Sequence, residues 1–160
     1  MTGRSPSNPL CLAIDRPDLA GALALVQELR DTVGMLKLGL EFFAANGPDG
    51  VRAIARAGLP LFLDLKLHDI PNTVAGAVRA LAPLPITLLT VHAAGGRAML
   101  EAAVRARDAT HGQFKLVAVT VLTSLADADL SELGIMRAAP EQVLALAELA
   151  LRSGIDGLVC

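Results

Sequence analysis

Short apolar runs recur along the chain with helical patterns between them, and this alternation predicts the architecture. The runs cover residues 10–14, 35–40, 59–65, 86–91, 115–122 and 157–160, and the first five begin about 25–30 residues apart. Runs this short, separated by helix-length segments, read as buried parallel strands in βα units. Leu19, Leu23, Val26 and Leu29 form a helical stripe, with Asp18 placed as its N-cap and Gly34 as its stop. Val51, Ile54 and Ala55 form a second, opened by Pro48 and ended by Gly58. Val74, Ala77, Val78 and Leu81 form a third, stopped by Pro83. Met99, Leu100, Ala103 and Val104 form a fourth. Val143, Leu144, Ala147 and Leu151 form a fifth, opened by Pro140 and ended before Gly154. Each stripe is expected to face a core. The long connection 124–139 holds a short helical piece at 129–133 and reads as a loop at the active-site end.

Two α/β architectures fit this alternation, an open doubly wound sheet and a (β/α)8 TIM barrel. The sheet would favour a glycine-rich phosphate loop after its first strand, but that strand runs into Ala13-Ile14-Asp15-Arg16-Pro17. Polar residues instead mark the C-terminal ends of several runs: Asp15, Lys37, Asp64 with Lys66, His92, and Thr120 with Thr123. A barrel builds its active site at that end of every strand, so the distribution favours the barrel. Six strands are counted where a barrel needs eight. The expectation is the N-terminal part of a longer chain, truncated after about the sixth strand, with a polar tail over 1–9 and one domain over 10–160.

Composition narrows the function. With 53% hydrophobic and 19% charged residues the chain is a folding one. A net charge of −2 without a basic block argues against nucleic acid, yet leaves room for a small anionic ligand held by a few cations. No apolar stretch reaches the roughly 18 residues of a membrane span, and the polar N-terminus does not read as a signal peptide. Cys11 and Cys160 lack metal spacing and are expected to be reduced, buried thiols of a cytoplasmic protein.

The chemistry concentrates in Asp64-Leu65-Lys66-Leu67-His68-Asp69-Ile70-Pro71-Asn72-Thr73. Residues i and i+2 of a strand share a face, so Asp64 and Lys66 are expected to point inward and Leu63 and Leu65 towards outer helices. The pair could simply neutralise itself. Asp69, three residues on, adds a second carboxylate; a lysine between two carboxylates is favoured as ammonium and suits proton donation to developing negative charge. Asp69 fits equally as an ordinary N-cap. Lys37 and Asp15 end earlier strands and read alone as a snorkelling lysine and a turn residue. Together the five make an array of alternating sign, in which the lysines would repel a metal ion; no metal is expected. His92 reads as a rim histidine bonded to its neighbours, His68 as structural support, and His111 as solvated. Gly95 and Gly96 read as a tight turn or a close approach to the site.

These residues resemble the signature of the bacterial orotidine-5'-phosphate decarboxylases. The ten-residue stretch carries most of the likeness. Leu12-Ala13-Ile14-Asp15, Lys37-Leu38-Gly39, Val91-His92-Ala93-Ala94-Gly95-Gly96 and Val119-Thr120-Val121-Leu122-Thr123-Ser124 agree with it in order and spacing. The resemblance implies a (β/α)8 barrel that dimerises with shared sites and converts orotidine 5'-monophosphate to uridine 5'-monophosphate without metal or organic cofactor. It implies that Lys66 donates the proton to C6 and that Asp64 lies near the substrate carboxylate. Asp69 and Thr73 would reach the neighbouring subunit's site. Asp15 and Lys37 would contact the ribose hydroxyls, and Thr123 or Ser124 the pyrimidine. Leu65, Leu67, His68, Ile70, Pro71 and Asn72 belong to the same substrate-binding stretch. The phosphate-gripping arginine of the family is expected beyond Cys160, so the 160 residues alone are expected to be inactive. Two other readings stay open: a related barrel lyase with an Asp-x-Lys-x-x-Asp pattern that uses magnesium, and a truncated barrel kept as a binding module.

Overall fold

The computed structural model describes residues 8–159. Strands and helices alternate as β1 (Cys11–Ile14), α1 (Leu19–Leu29), β2 (Met35–Gly39), α2 (Leu40–Ala55), β3 (Leu61–Leu67), α3 (Pro71–Leu81) and β4 (Leu88–His92). They continue as α4 (Gly96–Ala109), β5 (Lys115–Val119), α5 (Asp127–Glu132), α6 (Ala139–Arg152) and β6 (Gly157–Val159). A single 3-10 turn, Ala93–Gly95, separates β4 from α4. The strand order is β1-β2-β3-β4-β5-β6. A doubly wound sheet reverses direction at a switch point. This order never reverses, which is the winding of a βα barrel wall.

The described residues fall into two compact units, 8–65 with 83–88, and 66–82 with 89–159. In the first, β1 pairs in parallel with β2, Ile14 opposite Leu38, and β2 with β3, Gly39 opposite Asp64. Its core consists of Ile14, Leu36, Leu38, Phe42, Val51, Ile54, Leu61 and Leu63, all at most 1% exposed. Asp18 caps α1 as expected, its Oδ1 accepting the Gly21 N–H at 2.5 Å. Asn8, inside the expected tail, donates to the Thr32 carbonyl at 2.7 Å and accepts the Leu10 N–H at 3.0 Å.

In the second unit α3 packs on α4. Val74 and Val78 of α3 and Met99, Leu100 and Ala103 of α4 are buried with Leu89, Val91, Leu116 and Ala118 of the strands. β5 pairs in parallel with β6. Arg107 and Asp156 form an ion pair, and Asp156 also accepts the Leu116 N–H at 2.8 Å, which ties α4 and the entry to β6 to the start of β5.

Several boundaries differ from the sequence expectation. The run 59–65 becomes a strand two residues later, because Pro60 has no N–H for the ladder and pairing begins at Leu61. Leu40 leaves its expected strand to start α2, and residues 40–46 are helical where none was expected. That first half of α2 ends at Gly47, whose φ of 58° and ψ of −160° break the helix, and Pro48 opens the second half. Asn46 anchors the break by donating to the Pro17 carbonyl at 2.7 Å. In α6, Leu144 and Leu151 are 65% and 54% exposed, contrary to the core stripe expected of them. Val143 and Ala147 of the expected stripe are half-buried, and Leu146 and the buried Ala150 take the places expected of Leu144 and Leu151, a choice that periodicity in so apolar a helix does not resolve. Cys11 is exposed, not buried: it opens β1 on the sheet face of Met35 and Lys37, opposite the face of the buried Ile14 and Leu38; Cys160 lies outside the described residues.

Candidate active site

In the first unit three expected residues meet. Asp15 follows the last residue of β1, Lys37 lies in β2, and Asp64 lies in β3 beside Gly39 in the register. The Lys37 Nζ stands 3.9 Å from Asp15 Oδ1 and 3.7 Å from Asp64 Oδ2. Parallel strands in register bring these side chains together although 49 residues separate the first from the last. Asp64 is the one charged group that is buried among the described residues, at 9% exposure, so the Lys37 ammonium offsets part of its desolvation. Lys37 is thus one ammonium that the fold sets between two carboxylates.

The second unit opens at Lys66, still inside β3. Its φ is 50°, in the left-handed region, and its side chain is exposed. This corrects the expected alternation: the regular pleat ends at Lys66, so a strict i, i+2 rule does not aim its side chain. The Lys66 N–H donates to Thr90 Oγ1 at 2.7 Å. Thr90 is fully buried in β4, and sequence reading missed it. Its one signal was a hydroxyl amid the apolar neighbours Leu88, Leu89 and Val91.

Further along, His68 and His92 stack with ring centroids 5.1 Å apart and planes 19° from parallel. His92 also accepts the Ala94 N–H through Nδ1 at 3.3 Å, the neighbour bonding expected of it. Asp69 Oδ1 accepts the N–H of Ile70 at 2.6 Å, and Ile70, without a side-chain cap, precedes Pro71 at the start of α3. Asp69 is therefore not the N-cap. Asn72 and Thr73 are exposed in the first turn of α3. His68, Asp69, Ile70, Pro71, Ala94 and Gly95 line an open hollow of about 500 Å³. A Cβ on Gly95 would stand 2.1 Å from Sδ of the buried Met99, so a side chain there would displace that methionine, whereas His68 Cδ2, at 3.3 Å, would shift only slightly. Leu65 is buried, Leu67 half-buried, and Thr123 and Ser124 are exposed in the turn after β5. Thr120, expected among the rim residues, is buried and donates through Oγ1 to the Val159 carbonyl at 3.3 Å. His111 is exposed, as expected, in a turn with φ of 52°.

Partial burial, then the positive charges of His68 and Lys66, hold His92 below the usual histidine range. The unfolded chain then binds protons first as pH falls through about 6.5, so the folded state loses stability towards acid. His92→Asn keeps an acceptor for Ala94 but cannot titrate. Thermal unfolding followed from about pH 8 to about pH 5.5 is expected to fall less steeply for this variant than for the wild type. Parallel curves would show that His92 does not carry this linkage.

The family model described as "Orotidine 5'-phosphate decarboxylase / HUMPS family" matches residues 8–160. The orotidine 5'-phosphate decarboxylase of Novosphingobium aromaticivorans is 54% identical over 154 residues, and that of Sphingopyxis alaskensis 56%. Each alignment covers 96% of this chain and 67% of the relative. Among solved structures, orotidine 5'-phosphate decarboxylase of Lactobacillus acidophilus aligns with a TM-score of 0.88 at 39% identity, over 96% of this chain and 71% of that one. Matches of this extent, on a singly wound βα fold with the charged residues at its strand ends, establish that the chain belongs to the orotidine 5'-phosphate decarboxylase / HUMPS family.

Proposed function

We propose that this chain supplies the reacting residues for conversion of orotidine 5'-monophosphate to uridine 5'-monophosphate, the last step of pyrimidine nucleotide synthesis. The observation that carries the reading is the Lys37 ammonium set between Asp15 and the buried Asp64, followed two residues later by Lys66. Relatives about half identical to this chain bear the decarboxylase name. In this reading Asp15 accepts from ribose hydroxyls and Lys37 donates to them. Loss of CO2 leaves an electron pair at C6 that the ring cannot delocalise. The Lys66 ammonium stabilises the charge as it forms and then transfers a proton to C6, and water restores the lysine's proton. Asp64 lies near the departing carboxylate, and Thr123 contacts the pyrimidine. Asp69 and Thr73, exposed where β3 passes into α3, serve the site of a second subunit in a homodimer. No metal or cofactor takes part, and the protein works in the cytoplasm on a small nucleotide, not on nucleic acid or at a membrane. Among the described residues no helix is long and apolar enough to cross a membrane.

The full-length protein is expected to release CO2 from orotidine 5'-monophosphate at an undiminished rate in EDTA. A rate abolished by EDTA would move the assignment to the magnesium-dependent lyases of the same fold.

A further inference from the structure

Lys66 and His111 are the two non-glycine residues with positive φ among the described residues, and Lys66 alone of the pair lies in a strand. A left-handed backbone strains a side-chain-bearing residue, so the surrounding structure must hold it there. The structure shows the holding contact: the Lys66 N–H donates at 2.7 Å to Oγ1 of Thr90, a fully buried residue of β4. Two positions along β4, His92 stacks on His68. Alternate residues of one strand thus grip alternate residues of the segment that leaves β3.

We propose that Thr90 is a positioning residue for Lys66. Its hydroxyl fixes the left-handed backbone that aims the Lys66 ammonium, without itself touching substrate. The proposal rests on the functional reading above, in which Lys66 donates the proton. A hydroxyl acting only through Lys66 should affect the chemical step and leave nucleotide affinity alone.

The test compares Thr90→Val, which keeps the shape and removes the acceptor, with Thr90→Ser, which keeps the acceptor, in the full-length protein. Active sites are counted by titration with uridine 5'-monophosphate, so that misfolded protein does not lower the apparent rate. Thr90→Val is expected to lose about ten- to hundredfold in kcat per titrated site, with KM and nucleotide affinity within about twofold. Thr90→Ser is expected to stay within about threefold of wild type. An undiminished kcat in Thr90→Val overturns the positioning role. So does an equal loss in Thr90→Ser, which would point to packing of the methyl group. Wild-type protein without turnover overturns the functional reading instead. Should Thr90→Val fail to fold, hydrogen exchange at the wild-type Lys66 amide decides: protection of about tenfold or more supports the contact, and exchange at the rate of a solvated amide overturns it.

Discussion

Lys66→Ala in the full-length protein is expected to lower kcat for orotidine 5'-monophosphate by about a thousandfold or more, because one substitution removes both the proton donor and the cation facing the developing charge. Affinity for uridine 5'-monophosphate should change by no more than about tenfold, since an interaction formed mainly in the transition state contributes little to product binding. Lys66 is exposed, so its truncation empties no core. Single-turnover rates together with product titration measure both quantities. Normal decarboxylation by the variant would remove Lys66 from the mechanism.

Lys37→Met is expected to damage stability and activity together. Methionine keeps most of the stem and volume but removes the ammonium 3.7 Å from Asp64. The side chains of Lys37 and Asp64 are 25% and 12% exposed, so solvent compensates only in part, and the loss should be about 1–3 kcal/mol. Asp15, at 74% exposure, contributes little of this. Adding Asp64→Asn should restore part of the stability, because it removes the buried carboxylate that Lys37 had offset, while kcat/KM stays low by about a hundredfold or more. Denaturant unfolding and steady-state kinetics on the single and double variants separate the two effects. Equal stability of Lys37→Met and wild type would mean that the ion pair is not what holds the buried carboxylate.

Much of the fold was legible because strand and helix leave different periods in an apolar pattern. All six runs contain strands, and the stripe at Val74, Val78 and Leu81 is buried in α3. The short helical piece expected at 129–133 is α5. Boundaries slipped where one residue's backbone chemistry outweighed the pattern. Pro60 delayed β3, and Gly47 split a helix whose first half had merged with the preceding apolar run. Leu144 and Leu151 misled for another reason: α6 is apolar enough that two neighbouring stripes look alike, and only its packing partners choose between them.

The amino-acid chain alone specifies the kind of site. Charged residues at the ends of apolar runs are costly unless they serve one another or a ligand, and their positions marked Asp15, Lys37, Asp64 and Lys66 before any coordinates. It also determined the family, through one ten-residue stretch. The two carboxylates that Lys37 meets follow from strand pairing. Lys37 lies between the carboxylates because the strand registers bring Asp15 and Asp64 to it, a fact about pairing across 49 residues that local spacing does not contain. Only the structure, likewise, showed that Lys66 leaves the pleat. Its left-handed backbone depends on a hydroxyl 24 residues further on, and a long-range hydrogen bond of that kind leaves almost no local trace in the chain.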